Sequence, residues 1–237
     1  MKQIYRIAEL SVQMIPRHEP LLSQSVPYLF HGDDAVIADL TVTDEDYKAY
    51  HARYPEAEDS LIEYMATGSS FYKELIRHQG ILLHASAVML DGKAYLFSAP
   101  SGTGKSTHTS LWLKEFKGAQ ILNDDKPAIR FLDDGIFVYG TPWSGKTDLN
   151  LNCKVPLQGI AFLSRGETNT MSLMPPLKAL ENLLNQTIRP GEKEFASTML
   201  DHVSLLIKQV PIYSLSCNMD PEAAHLSYET MLKGVTK

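Results

Sequence analysis

The chain has 237 residues, 44% hydrophobic and 21% charged, a globular composition with enough length for a sizeable core. Its 28 acidic residues outnumber its 22 lysines and arginines, and the resulting charge of -6 argues against a nucleic-acid partner, because a phosphate backbone calls for a basic face. No apolar run approaches the roughly 18 residues of a membrane span. Met1 to Arg6 lacks the apolar centre of a signal peptide, and Cys153 and Cys217 lie outside any CxxC pair, so neither a disulfide framework nor a zinc site is expected. These features predict a soluble, cytoplasmic protein with no membrane partner.

Residues 1–56 read as a small β-rich appendage. Ile4 to Ile15 and Ala35 to Val42 are rich in β-branched and apolar residues, punctuated by Pro16, Pro20, Pro27 and His31-Gly32-Asp33-Asp34. Residues 57–237 read as the main domain. Ala57 to His78 has helical apolar spacing, with a possible break at Gly68-Ser69-Ser70. Ile81 to Leu90 is a strand, Asp91-Gly92 a tight turn, and Lys93 to Ser98 a second strand. A glycine-rich loop follows, then a helix from Ser106 to Phe116, and a strand at Gln120 to Leu122. Ala128 to Leu132 and Ile136 to Tyr139 form a hairpin across Asp133-Asp134-Gly135, and two strands follow at Leu149 to Val155 and Gly159 to Leu163. The last third is mostly helical, with helices at Pro176 to Ile188 and Glu192 to Gln209. Val210 to Ser216 is a strand, and a final helix opens at Asp220-Pro221-Glu222 with an aspartate cap.

The chemistry concentrates in Ala99-Pro100-Ser101-Gly102-Thr103-Gly104-Lys105-Ser106-Thr107, which fits G/A-x-x-x-x-G-K-S/T. A strand runs in and a helix runs out. In such an arrangement Gly102 and Gly104 let successive N–H groups face inward, and the helix N-terminus adds its partial positive charge. Lys105 would reach the β/γ-phosphates of ATP or GTP, and the Ser106 hydroxyl would ligate Mg²⁺. Gly140-Thr141-Pro142-Trp143-Ser144-Gly145-Lys146-Thr147 satisfies the same pattern as text. Physically it is the weaker match: Pro142 and Trp143 stiffen the wrap, and Asp148 to Asn152 alternates like a strand where a helix should open. It reads as a turn between strands, or as a substrate- or phosphate-facing loop offering Lys146 and Thr147 as donors; Trp143 is either a substrate platform or core.

A phosphate loop needs a carboxylate at the end of a neighbouring strand, and Asn123-Asp124-Asp125 supplies two. One can hold Mg²⁺ while the other takes a proton from an attacking hydroxyl. His108, in the first turn of the helix, reads as a polar surface residue.

His84, Asp91-Gly92, the segment Phe97 to Ser106 and Asn123-Asp124-Asp125 together resemble the catalytic domain of HPr kinase/phosphorylase, which shares its nucleotide fold with the ATP-dependent phosphoenolpyruvate carboxykinases. The resemblance covers Ile81 to Arg130 and leaves out the first 80 residues. It implies a mixed α/β (α+β) phosphate-loop core of the carboxykinase/HPr kinase kind, with a β-rich N-terminal appendage and C-terminal helices. It also implies His84 near the transferred phosphate, and Asp124 and Asp125 as general base and metal ligand. Asp124 is taken as the base and Asp125 as the ligand, with the reverse division left open. Where HPr kinase has a segment rich in arginine and glycine, this chain has Gly140 to Lys146, which argues against HPr itself as acceptor. The extra metal- and carboxylate-binding residues of the carboxykinases are missing, which argues against that reaction.

Three functions follow as expectations. The first is a kinase for a serine hydroxyl of a peptide or protein. The second is a small-molecule kinase using Lys146, Arg165 or Arg189 to hold an anionic substrate. The third is a nucleotide-binding regulator without turnover. The family likeness also suggests a homo-oligomer.

Overall fold

Among residues 3–187 and 193–234, which the computed structural model describes, the chain forms a mixed α/β fold with a three-stranded and a nine-stranded sheet. Arg189-Pro190-Gly191, between the two helices expected in the last third, lies outside the described residues. No helix among the described residues is long and apolar enough to cross a membrane.

The β-rich stretch from Ile4 to Ile15 is a hairpin. β1 (Gln3–Ile7) and β2 (Leu10–Met14) pair antiparallel, and the chain reverses at Ala8 and Glu9, both at positive φ. β3 (Ala38–Asp39) adds in parallel and is far shorter than the expected strand over Ala35 to Val42. The same region also holds helices α1 (Leu21–Gln24) and α2 (Asp44–Arg53). α2 starts where Thr43 and Asp46 close a reciprocal cap: the Thr43 hydroxyl accepts from the Asp46 N–H at 3.2 Å, and the Asp46 carboxylate accepts from the Thr43 N–H at 2.8 Å. The first 56 residues are therefore not predominantly β.

α3 (Asp59–Arg77) runs unbroken through Gly68. A Cβ at Gly68 would meet the Trp143 ring at 3.1 Å, so the glycine makes room for the indole. Trp143 is core, not a substrate platform. It is fully buried, stacks on Phe71 at 5.0 Å between ring centroids, and donates from Nε1 to Thr67 Oγ1 at 3.2 Å. Trp143→Ala should cost about 3–5 kcal/mol of stability, the usual range for emptying a large aromatic site. The midpoint of urea unfolding reads it.

The large sheet runs β4 (Gly80–Leu82), β8 (Ala128–Leu132), β9 (Gly135–Tyr139), β10 (Lys154–Arg165), β6 (Lys93–Ser98), β5 (Ala85–Leu90), β7 (Gln120–Asn123). β12 (Ile212–Cys217) pairs with β10, and β11 (Thr170–Leu173), which no sequence pattern announced, pairs with β12. Within this sheet, among the described residues, only β10 with β6 and β10 with β12 are parallel. The strand expected over Ile81 to Leu90 is interrupted at Leu83 and His84, and the two strands expected around Pro156 are one. β10 pairs with β9 through Pro156 and with β6 from Leu157, so the proline marks a change of partner rather than an end.

α4 (Lys105–Glu115) packs over β5 and β6 and against α7 (Glu222–Lys233). α7 carries no side-chain cap; the Asp220 carboxylate instead accepts from Asn218 Nδ2 at 2.7 Å. α5 (Pro176–Gln186) and α6 (Lys193–Gln209) close another face. One hydrophobic core joins β1, β2 and Tyr28 to α3, β8, Tyr139 and Trp143, so the N-terminal sheet and the large sheet share their interior.

Candidate active site

The glycine-rich loop leaves β6 at Ser98 and enters α4 at Lys105. Gly102 and Gly104 sit at φ 77° and 123°, conformations that residues with a Cβ rarely adopt, and Gly104 occupies the N-cap position. The helix therefore starts with its free N–H groups at the loop, where an anion is favoured. Lys105 is largely buried, and its Nζ donates to the Ala99 carbonyl at 2.9 Å, on the loop it would share with phosphates.

β7 delivers the acidic pair opposite this loop. Asn123 is fully buried, and its side-chain Oδ1 accepts from the N–H groups of Asp125 (3.0 Å) and Lys126 (2.7 Å), which turns the chain so that both carboxylates emerge at one end of the sheet. Asp124 is 8% exposed and collects hydroxyls: Ser86 at 2.7 Å, Thr147 at 3.0 Å, and Ser106 at 3.3 Å to each carboxylate oxygen. Asp125 meets nitrogens instead, with His84 Nε2 at 3.2 Å on one oxygen and the Lys126 ammonium on the other. His84, in the break between β4 and β5, is held from behind by the Gln186 side chain, 2.9 Å from Nδ1.

Gly140 to Thr147 closes the far wall. Gly145–Thr147 makes a single 3₁₀ turn that stops at Asp148, whose φ of 53° is left-handed, so no long helix follows. The first glycine of this second match has a packing cause: a Cβ at Gly140 would lie 2.1 Å from the Leu151 carbonyl oxygen. The loop nevertheless faces the first one. Ser101, Gly102, Gly104 to Thr107, His84, Asp124, Asp125 and Ser144 to Thr147 enclose one cavity of about 510 Å³. A second cavity of about 420 Å³ lies around the start of α4, between Thr103, Thr107, Leu163, Arg165, Cys217 and Met219.

Residues 55–222 match the family of the SynChlorMet cassette protein ScmC. The chain belongs to the ScmC family. A solved structure of the Hpr(Ser) kinase/phosphatase from Coxiella burnetii is similar at a TM-score of 0.39 and 12% identity, covering 64% of this chain and 97% of that one. A comparison with curated proteins finds no match.

In this ScmC-family chain most of the residues singled out from the sequence line one cavity: Ser101, Gly102 and Gly104 to Thr107 of the loop, with His84, Asp124, Asp125, Lys146 and Thr147. Thr103 lines the second cavity instead, and Ala99 and Pro100 line neither. Arg165 does not stand free for an anionic substrate. Its guanidinium donates to the carbonyls of Gly102 (2.6 Å) and Thr103 (3.2 Å) and braces the loop from outside. Arg189 lies outside the described residues. His108 is not a surface residue; it is buried against Phe97, its Nε2 lies 3.1 Å from Ser227 Oγ, and burial pushes it down to about 4. Sequence reasoning missed Ser86, Lys126 and Gln186. Ser86 and Gln186 approach the acids only through the fold. Lys126, next to the pair in sequence, was legible as a counter-ion.

The electrostatics divide the pair. Burial raises Asp125, but the hydrogen bond from His84 and the charge of Lys126 outweigh it and hold its carboxyl below the ordinary value. Burial lowers Lys105, partly offset by Asp125 and Asp124. The oxygens of Asp124, Ser106 and Thr147 form a hard donor set suited to Mg²⁺ bound partly through water and phosphate. Among the described residues no cluster of three or more His, Cys, Asp or Glu could hold a metal alone.

Proposed function

We propose that the protein is an ATP- or GTP-dependent phosphotransferase that phosphorylates a serine hydroxyl of a peptide or protein. The observation that carries this reading is the convergence on one cavity of a strand–loop–helix cradle with its lysine and serine and of two carboxylates held in unlike environments. A site that only bound nucleotide would have no use for the second carboxylate.

Asp124 and Ser106 would hold Mg²⁺, because they already share a hydrogen bond and an all-oxygen surround. This reverses the division taken from the sequence. Nucleotide and Mg²⁺ supply the transferable phosphoryl group and the charge that offsets it. Asp125, kept ionised, orients the acceptor hydroxyl and takes its proton as the oxygen bonds to phosphorus and the bond to the nucleoside diphosphate breaks. His84 and Lys126 fix that carboxylate, and Gln186 fixes His84. Lys105 and the first N–H groups of α4 would stabilise the oxygens on which negative charge spreads. The cavity beside Leu163, Cys217 and Met219 would take base and ribose, since it meets the transfer cavity around Gly104 and Thr107.

Incubation with ATP or GTP labelled on the γ-phosphate, Mg²⁺ and pools of serine peptides tests the reading. Label should appear as phosphoserine, and no label on peptide or metabolite together with no nucleotide consumption would remove it.

A further inference from the structure

Gly145 and Lys146 line a second hollow besides the transfer cavity. This groove of about 370 Å³ runs between α1 and α3, walled by Pro20, Leu61, Tyr64 and Met65. A further hollow of about 220 Å³ flanks Tyr64 and Met65 along α3 and includes Lys126, the partner of Asp125. Both therefore end on residues of the transfer site or on their direct partners. Tyr64 joins them physically, since its hydroxyl accepts the Gly145 N–H at 2.9 Å.

The groove is apolar where an open helix face is ordinarily polar. Leu61 and Met65, one turn apart, are 55% and 53% exposed. The groove's polar lining residues are Ser23, Gln24, Ser60, Lys146 and Asp148. Gln24 is 2% exposed and donates from Nε2 to the Gly145 carbonyl at 3.0 Å, but its Oε1 has no hydrogen-bond partner. A buried carbonyl without a donor is destabilising, and what it lacks is an N–H or O–H. A peptide brings a backbone N–H and an apolar side chain together; a sugar or other small polyol brings no apolar side chain.

We propose that this groove is the acceptor subsite, and that the acceptor is a peptide segment with a large aliphatic or aromatic residue close to the phosphorylated hydroxyl. The proposal rests on the phosphotransferase reading and adds the kind of acceptor. Three observations carry it: the lining shared with the transfer cavity, the exposed apolar pair on α3, and the unpartnered amide oxygen.

A positional-scanning library of synthetic peptides with one fixed serine, labelled ATP and Mg²⁺ tests it on the intact protein. Leu, Met, Ile or Phe at one position near the serine should raise labelling about tenfold or more over Ala, the scale on which apolar pockets discriminate. In the double variant Leu61→Glu, Met65→Glu, at two exposed positions, that preference should fall to near parity. Equal labelling whatever the neighbouring residues, an undiminished preference in the variant, or labelling of small alcohols in place of peptides would overturn it. Nucleotide consumption by the wild-type sample separates the levels: consumption with indifferent peptide labelling sinks the groove alone, and no consumption with any acceptor sinks the transferase reading beneath it.

Discussion

Replacement of Lys105 by alanine is expected to abolish nucleotide turnover and leave the fold intact. The ammonium is the one cation that the phosphate loop itself contributes. It is held over the cradle by the Ala99 carbonyl, and burial strengthens whatever it faces. Loss of a cation aimed at the transferred phosphoryl group costs about 10³-fold or more in comparable sites. The control is Lys146→Ala. Lys146 belongs to the other GKT sequence, projects from a 3₁₀ turn and is exposed. Nucleotide binding measured by titration calorimetry decides between the loops. If Lys146→Ala destroys it and Lys105→Ala does not, the cradle is the second loop.

The second large effect concerns the acids. Asp125→Asn should lower turnover at saturating substrates by at least about 10²-fold, the usual size of a lost general base. Added Mg²⁺ should not restore it. Asp124→Asn should instead raise the Mg²⁺ concentration needed for half-maximal rate and recover partly as the metal is increased. The opposite pattern would return the roles to the division first read from the sequence. The pH dependence follows from the same contacts. The folded-state pKa of Asp125 is lowered, so the group stays ionised down through the ordinary carboxylate range. Its contribution to stability is present above the unfolded value and is lost only as pH falls through the lowered one. Turnover should therefore show no acid limb from Asp125 between about pH 5 and 8. A limb in that window that vanishes in Asp125→Asn would show that His84 and Lys126 do not hold it as described.

Much of this site was legible because its signals are local. Gly102, Gly104, Lys105 and Ser106 lie in one loop, Asp124 and Asp125 are adjacent, and the flanking strand and helix have clear apolar patterns. The same is true of the hairpin at Asp91-Gly92, where both residues adopt the positive φ that such a turn requires. What escaped depended on distance along the chain. Nothing near His84 says that Gln186 stands behind it, and nothing near Trp143 says that Phe71 and Gly68 wait for it. The two strands expected on either side of Pro156 are one because, although a proline ordinarily ends a ladder, here the strand passes from one partner to another at that point. The missed helix α2 is a different failure. Thr43-Asp44-Glu45-Asp46 is a capping signature with an acidic first turn, a local signal that reading the region as β-rich passed over.

The two walls of the cavity are anchored in different parts of the chain. The glycine-rich loop is rooted in β6 and α4. The opposite loop is tethered to the first thirty residues: Gln24 holds the Gly145 carbonyl, the Tyr28 hydroxyl donates to Asn150 at 2.9 Å, and Asn152 donates to the Pro27 carbonyl at 3.0 Å. The N-terminal segment is thus a jaw rather than an ornament. On the proposed reading, a change of shape there would reach the side from which an acceptor approaches and would spare the side assigned to nucleotide, so selectivity would drift while the transfer chemistry stayed fixed.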